Sequence, residues 1–189
     1  LENLPQEQRA VLYNDRFLVL CNPVPIFHSH FTVAHVNHTT QAVEPYISDF
    51  LALAQHLGAG CIVFYNGPRC GASAPDHMHF QASPAGTMPV EAEARSTARR
   101  IFVKKIFDGV DVYLLSGLGR QVVVMEGSHG DQVSASLSRL LSLLRSDPGT
   151  AEEPMVNILC SFDNGRWQLI VFPRSRHRPA AYFAEGEER

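Results

Sequence analysis

The stretch Asn66-Gly-Pro-Arg-Cys-Gly-Ala-Ser-Ala-Pro-Asp-His-Met-His-Phe-Gln81 lies near the middle of the 189-residue chain, between two strand-like segments. Before it, residues 61–65 form a continuous apolar run, which is typical of a buried strand. Residues 66–75 are rich in glycine, proline and serine and predict a loop. Residues 77–82 then alternate between polar and apolar and predict a second strand. The stretch therefore predicts two strands joined by a long loop.

The predicted strands and helices occur in the same order in both halves of the chain. Corresponding segments lie at similar offsets, since 94 residues separate Phe17 from Asp111 and 95 separate Cys61 from Val156. We predict an α+β fold with a mainly antiparallel sheet, flanking helices and two pseudo-symmetric strand–strand–helix–strand–strand halves; chance recurrence of short strands is the alternative. The other predicted elements are strands at 17–20, 31–36, 110–115, 122–125, 156–162 and 167–172, apolar helix stripes from Val43 to Leu57 and from Val133 to Leu144, and turns at Asp147-Pro148-Gly149 and Asp163-Asn164-Gly165.

The charge balance argues against two classes of partner. The chain has 16 Lys and Arg against 19 Asp and Glu, which gives a formal net charge of −3. General binding to nucleic acid or to a membrane surface needs a basic excess, so neither partner is expected. No apolar run approaches the ~20 residues of a membrane-spanning helix, and no leader pattern opens the sequence. The first residue, Leu1, is not an initiator methionine, so we expect that native terminal residues are missing.

The cysteines indicate a reducing compartment rather than a metal site. Cys21, Cys61, Cys70 and Cys160 form no C-x-x-C pair, which disfavours structural zinc. Three of the four lie in or beside apolar runs, so we expect buried free thiols. The expected location is cytoplasmic.

The loop at residues 66–75 has the composition of an anion-binding turn. Its small residues let backbone N–H groups approach an anion closely. Arg69 adds a forked guanidinium and Ser73 a hydroxyl donor, and both suit phosphate oxygens. An ordinary glycine–proline turn is the alternative.

The strand after the loop presents three polar side chains in a row. Because residues two apart share a face, His77, His79 and Gln81 lie on one side and the apolar residues between them pack into the core. One interpretation is a His-x-His metal site, but no Asp, Glu or His cluster accompanies it at a recognisable spacing, so no metal ligand is assigned. The others are hydrogen-bonded structural histidines and nucleophilic attack on a phosphate ester by a neutral imidazole.

The segment Gly71-Ala-Ser-Ala-Pro-Asp-His-Met-His-Phe-Gln81 resembles the active-site strand of the histidine triad superfamily. The resemblance is to its transferase and phosphorylase branch, which includes diadenosine tetraphosphate phosphorylases, GDP-L-galactose phosphorylases and galactose-1-phosphate uridylyltransferases. These carry His-x-His-x-Gln where the hydrolases carry a third histidine. Residues 22–35 resemble the early segment that lines the base pocket, and residues 167–174 resemble a late strand.

The resemblance implies roles for individual residues. His79 would be the nucleophile, His77 would brace the strand, and Gln81 would hydrogen-bond the transferred phosphoryl group. The residues implied to contact phosphate or nucleotide are Asn66, Arg69, Ser73, Asn22 and His30. The equivalent strand of the second half has no histidine, which implies one active site per chain.

The resemblance also implies a reaction. It is nucleotidyl transfer or phosphorolysis of a nucleotide-sugar or dinucleoside polyphosphate through a nucleotidyl-histidine, with phosphate or a sugar phosphate as acceptor. A glutamine cannot supply a proton to a leaving group, which disfavours simple hydrolysis. The alternatives are a hydrolase with the same nucleophile, a catalytically silent nucleotide-binding module, or a metal-dependent enzyme. No cofactor is required, Mg²⁺ is possible on the substrate phosphates, and the chain is expected to be a monomer or a homodimer.

The domain organisation follows from the repeat and the motif together. We predict a single domain over residues 1–189. Its parts are a catalytic half at 15–83, a solvent-exposed connector at 84–109, a degenerate half at 110–178 and a tail at 179–189.

Overall fold

A computed structural model describes residues 8–103, 109–145 and 152–177 of the chain. The described residues form one ten-stranded sheet in which every ladder is antiparallel, together with three α-helices. The strands are β1 (Ala10–Tyr13), β2 (Phe17–Cys21), β3 (Phe31–His35), β4 (Cys61–Asn66), β5 (His79–Pro84), β6 (Arg100–Val103), β7 (Val110–Leu115), β8 (Val123–Gly127), β9 (Val156–Asp163) and β10 (Arg166–Pro173), and the helices are α1 (Ile47–Leu57), α2 (Pro89–Arg95) and α3 (Gly130–Leu144).

The order of the strands shows the internal repeat. The sheet runs β1-β2-β3-β5-β4-β9-β10-β8-β7-β6, which is symmetric about the central β4–β9 pair. Each strand of the first half therefore has a counterpart in the second half, with β5 matched by β10 and α1 by α3. The predicted α+β fold with a mainly antiparallel sheet and two pseudo-symmetric halves is confirmed.

Each half has one more strand than the predicted order. The edge strands β1 and β6 have four residues each and expose apolar side chains, including Val11 and Ile101. Such strands lack the alternation that predicts a half-buried strand, because an edge strand buries little of either face. The predicted turn between β9 and β10 is confirmed, since Asn164 and Gly165 have φ angles of 49° and 75°, as a two-residue hairpin requires.

The two faces of the sheet are covered differently. On one face α1 and α3 pack over a large core that includes Phe17, Phe50, Phe80, Leu137 and Leu169. The opposite face carries a smaller apolar cluster that includes Ile62, Phe64, Val90, Ala94 and Leu159. Two members of this smaller cluster, Val90 and Ala94, belong to α2.

The interpretation of residues 84–109 as a solvent-exposed connector is wrong for α2. This helix buries Val90 and Ala94, and the buried Glu91 accepts hydrogen bonds from the backbone N–H groups of Gly86 and Met88. A charged residue can be buried here because its carboxylate caps the helix N-terminus. Residues 104–108, and with them the end of the predicted connector, lie outside the described residues, as do Asp147-Pro148-Gly149 and the predicted tail.

The cysteine prediction is correct in part. All four cysteines are free, and Cys70 and Cys160 are buried. Cys21 is exposed and Cys61 is half-buried, because each stands at the end of its strand rather than over the core. In the ranges that the structure describes, no helix has the length and apolar character needed to cross a membrane.

Candidate active site

The central residues of the candidate site stand on β5, on the sheet face opposite α1 and α3. His79 and Gln81 are 4% and 9% exposed on this face, whereas Met78 and Phe80 belong to the large core on the other face. The alternation that the sequence predicts is therefore confirmed. The apolar residues anchor the strand, so the polar side chains are held in a fixed direction.

His77 lies outside the strand, which corrects the predicted boundary. Strand β5 begins at His79, because the N–H of His77 closes a turn onto the carbonyl of Ala74 and is unavailable for the ladder. The ring of His77 instead donates from Nε2 to the carbonyl oxygen of His35 over 2.8 Å. Its Nδ1 lies 3.3 Å from Nδ1 of His38. His77 thus joins the start of β5 to the end of β3.

Gln41 fixes the backbone on both sides of the candidate nucleophile. Its Oε1 accepts the N–H of His79 over 2.8 Å, and its Nε2 donates to the carbonyls of His79 and Asn66 over 3.1 and 2.9 Å. Gln41 is 1% exposed, and its side chain takes the place of strand pairing beyond Phe64 and Gln81, where the ladder between β4 and β5 ends. Sequence reasoning did not assign Gln41, because its partners lie 25 and 38 residues away along the chain.

The hydrogen bonds of His79 determine its tautomer. Nδ1 lies 2.9 Å from the carbonyl oxygen of His77, so Nδ1 carries the proton and donates it. Nε2 is buried and has no hydrogen-bond partner among the described residues. Burial lowers the pKa of His79 below 6.5, and the hydrogen bond to the His77 carbonyl opposes this effect. The ring is therefore neutral near pH 7, with its lone pair on Nε2.

Gln81 is oriented by a second buried histidine. The backbone N–H of Ile26 points at Nδ1 of His30 over 3.3 Å, which leaves Nε2–H of His30 to donate to Oε1 of Gln81 over 2.7 Å. The ring of His30 also stacks on Phe64. Because the Gln81 oxygen is engaged by His30, the amide nitrogen is the end that remains to donate to another group.

The loop after β4 is tied to the second half of the sheet. Asn157 on β9 donates from Nδ2 to Oδ1 of Asn66 and to the carbonyl of Cys70, over 2.7 and 2.8 Å. The N–H of Gly67 donates to the carbonyl of Val156, and a Cβ at Gly67 would lie 2.8 Å from the same oxygen. The loop therefore lies against β9 with no room for a side chain at its first position.

The other predicted residues occupy more peripheral places. Arg69 is exposed and pairs with Glu152 over 3.0 Å, and Ser73 is exposed in the loop. Asp76 is exposed, with a carboxylate oxygen 3.7 Å from Nε2 of His38. The side chain of Asn22 holds its own loop, donating to Oγ1 of Thr32 and accepting the N–H of Val24.

Arg174 is a further polar residue of the site and was not predicted. It lies at the end of a row of polar side chains, here called the polar row, that runs from His79 through Asn66 and Asn157. It follows β10, and its Nη1 donates to Oδ1 of Asn157 over 2.7 Å. Burial raises the pKa of the Cys70 thiol to about 11, and the positive charge of Arg174 acts in the opposite direction. The guanidinium therefore lies close enough to the loop for its charge to act there.

The second half carries no copy of the site. Counted outward from the central β4–β9 pair, Gln168 on β10 occupies the position of His79 on β5. Gln168 donates to Glu126 over 2.7 Å, and Arg100 makes two hydrogen bonds to the same carboxylate. Burial raises the pKa of Glu126, but the hydrogen bonds from Arg100 and Gln168 outweigh burial and hold it below the usual value. A closed ion-pair network thus fills the equivalent position.

Within the described residues, no three His, Cys, Asp or Glu side chains gather into a group that could hold a metal ion. The exposed His38 lies near the half-buried His77 and the exposed Asp76 without forming such a group.

Comparisons with known proteins support the fold. A family model described as Domain of unknown function (DUF4922) matches residues 1–84, and no curated protein sequence matches significantly. The crystal structure of a DUF4931 family protein from Bacillus cereus ATCC 10987 is similar, with a TM-score of 0.61 and 12% identity over 93% of this chain and 89% of that one.

A second structural relative is the yeast Ap4A phosphorylase Apa2. Its crystal structure gives a TM-score of 0.64 and 18% identity over 92% of this chain, and its complex with Ap4A gives 0.54 and 16% over 87%. The chain spans 64% of the length of the yeast enzyme in the first structure and 59% in the second. At these identities the likeness establishes a shared fold.

Proposed function

We propose that the chain transfers a nucleotidyl group from a dinucleoside polyphosphate or a nucleotide-sugar to a phosphate acceptor, through a covalent bond at His79. The observation that carries the proposal is the state of the His79 ring, which is neutral, is held by its Nδ1–H, and has no hydrogen-bond partner among the described residues at the buried Nε2. An unsatisfied buried nitrogen is unfavourable for folding alone, so its retention is best explained by chemistry. The similarity in fold to an enzyme solved with Ap4A supports the substrate class.

The first step follows from this geometry. The lone pair on Nε2 attacks the α-phosphorus, an N–P bond forms, and the P–O bond to the leaving group breaks with its electron pair on that oxygen. The ring becomes positively charged, and the hydrogen bond from Nδ1–H to the His77 carbonyl stabilises this charge. The amide nitrogen of Gln81 donates to a phosphoryl oxygen.

The second step returns the enzyme to its starting state. An oxygen of inorganic phosphate or of a sugar phosphate attacks the same phosphorus, and the N–P bond breaks with its electron pair returning to Nε2. Gln81 has no proton to give in either step. The reaction therefore needs a leaving group that is stable without protonation, and a phosphate or polyphosphate meets that condition. Any Mg²⁺ would enter with the substrate phosphates and needs no protein ligand cluster.

Covalent labelling tests the proposal. The protein is incubated with a dinucleoside polyphosphate and with a nucleotide-sugar, each radiolabelled at the α-phosphorus, and the denatured protein is assayed for acid-labile label. We expect label on the native protein, faster release by phosphate than by water, and no label on His79→Asn. The matched control is His129→Asn, because His129 is an exposed residue before α3. Label that persists in His79→Asn would refute the proposal, and release that is equally fast without phosphate would identify a hydrolase.

A further inference from the structure

Arg174 is a cation without a counter-ion in the part of the chain that the structure describes. Its three hydrogen bonds go to Oδ1 of Asn157 and to the backbone carbonyls of Arg176 and His177. All three partners are neutral, and no described carboxylate lies within 4 Å of the guanidinium. The carboxylates of Glu152 and Glu153 line a second cavity of about 610 Å³ that Arg174 also borders, without forming an ion pair with it. A guanidinium has five N–H donors, so donors remain for a further acceptor.

The guanidinium is half-buried and braced rather than free in solvent. A positive charge that is partly removed from water loses part of its stabilisation by hydration. A hydrogen bond to a neutral amide replaces only part of that lost stabilisation. By comparison, Arg100 on the same sheet face is paired with Glu126 over 2.5 Å. The position of Arg174 is therefore one that an anion would stabilise.

Arg174 lies on the same polar row as the proposed nucleophile. Asn66 and His79 are joined through the side chain of Gln41, which donates to both of their carbonyls, and Asn66 pairs in register with Asn157 on β9. Asn157 holds Asn66 with its Nδ2 and Arg174 with its Oδ1. Because a side chain lies between Asn66 and His79, the backbones of His79 and Asn157 are separated by more than two inter-strand spacings of about 5 Å each. Arg174 is therefore too far for contact with the phosphorus under attack, at a distance that a chain of further phosphates can cover.

A cavity opens beside Arg174. Its volume is about 360 Å³, and it is lined by Arg120, Gln121, Asn157, Phe172, Pro173 and Arg174. Arg120 brings a second guanidinium, which is paired with Glu93 at its far side over 2.6 Å. The wall therefore presents two cations, two amides and one aromatic ring, a set that suits a phosphate with an organic group attached.

We propose that this cavity is the subsite for the distal phosphate of the reaction, with Arg174 as its principal contact. The distal phosphate is either the terminal phosphate of the leaving group or the incoming phosphate acceptor, which share one chemistry. The subsite is built by the second half of the chain, so the half without a nucleophile binds the part of the substrate that is not transferred. This proposal rests on the proposed function.

Binding measured without turnover tests the subsite separately from the chemistry. Inorganic tripolyphosphate is titrated calorimetrically into the full chain carrying His79→Asn, alone and combined with Arg174→Gln, Arg174→Lys or Arg176→Gln. Loss of a charge-assisted contact predicts about 10- to 100-fold weaker binding for Arg174→Gln, with part of the affinity restored in Arg174→Lys. Arg176→Gln is the matched control and should leave the affinity unchanged, because the exposed Arg176 contributes only its carbonyl to Arg174. Equal affinity in Arg174→Gln, or equal weakening in Arg174→Gln and Arg176→Gln, would overturn the proposal.

Labelling kinetics distinguish the two sources of the phosphate. If the subsite binds the leaving group, Arg174→Gln slows formation of the label at His79. The labelling rate then falls more for a substrate with a longer polyphosphate. If it binds the acceptor, the same substitution slows release of the label by inorganic phosphate and leaves its formation unchanged. Either result supports the subsite, and normal rates in both steps would contradict it. Urea unfolding of Arg174→Gln verifies that the variant is folded.

Discussion

His79 differs from the buried His30 in how its ring nitrogens are used. His30 uses both ring nitrogens, one toward Ile26 and one toward Gln81, whereas His79 uses only Nδ1. A buried ring whose charged form is disfavoured and whose Nε2 has no partner among the described residues has the properties that the proposed nucleophile needs. This contrast supports the proposed nucleophile over a structural histidine, two interpretations that the sequence alone left open.

The lowered pKa of His79 predicts a pH-dependent contribution to stability. Below pH 6.5 the unfolded chain takes up a proton at this ring while the folded protein still excludes it, so the free energy of unfolding falls as the pH falls through that window. His79→Asn removes this contribution. Urea unfolding between about pH 5 and 8 should therefore show the stability advantage of the native protein over His79→Asn shrinking as the pH drops below 6.5. A difference that stays constant or grows toward low pH would show that the folded ring is not held neutral.

A second prediction concerns Gln41, whose side chain holds the backbone of His79. Gln41→Leu leaves the N–H and carbonyl of His79 and the carbonyl of Asn66 without their side-chain partner. Each unsatisfied buried group costs about 1–3 kcal/mol, so we expect a loss of at least about 2 kcal/mol in urea unfolding, together with slower labelling of His79. Gln55→Ala on the exposed side of α1 is the control and should change stability little. Labelling at the native rate in Gln41→Leu would show that the backbone of His79 does not need this clamp.

At the scale of elements, the local patterns predicted most of the large strands and both long helices. The face of β5 was predictable because Met78, Phe80 and Ala82 are apolar and alternate with polar residues. The edge strands and α2 were missed because they are short and their patterns are weak. The contacts of Gln41 and Arg174 could not be predicted, because they depend on groups that only the folded sheet brings together.

The loop after β4 gives a prediction that links its position to phosphate binding. Gly67→Ala would place a Cβ 2.8 Å from the carbonyl oxygen of Val156, so the loop backbone must move away from β9. We expect weaker binding of tripolyphosphate and slower labelling, because the loop and Asn157 are joined at Cys70. Gly60→Ala is the control, since a Cβ there meets no atom within 4 Å. Native binding in Gly67→Ala would mean that the loop position is not part of the site.

At the scale of the whole molecule, the two halves share one strand order but differ at the position of His79. The sheet is symmetric in strand order, yet the position of His79 in the second half is occupied by Gln168 in a network with Glu126 and Arg100. The pair of Arg100 and Glu126 is half-buried, with side chains 15% and 17% exposed. An ion-pair network thus occupies this position in the second half, whereas Nε2 of His79 in the first half has no hydrogen-bond partner among the described residues.

This asymmetry predicts the stoichiometry of the covalent intermediate. With excess substrate and no phosphate acceptor, the label should rise to one nucleotidyl group per chain and stop there. Gln168→His should not raise this number, because the loop corresponding to residues 67–77 is replaced by the two-residue turn Asn164-Gly165 between β9 and β10. Quantitative mass spectrometry of the intact protein measures the ratio. Two groups per chain would contradict the assignment of a single site.

The most direct measurement is the location of the transferred group. The reaction is stopped during the first turnover, the protein is digested at alkaline pH, where a phosphorus–nitrogen bond on histidine survives, and the modified peptide is sequenced by mass spectrometry. We expect one nucleotidyl group, attached to Nε2 of His79. A nucleotidyl group on any other residue, or product formed with no adduct at any time, would contradict it.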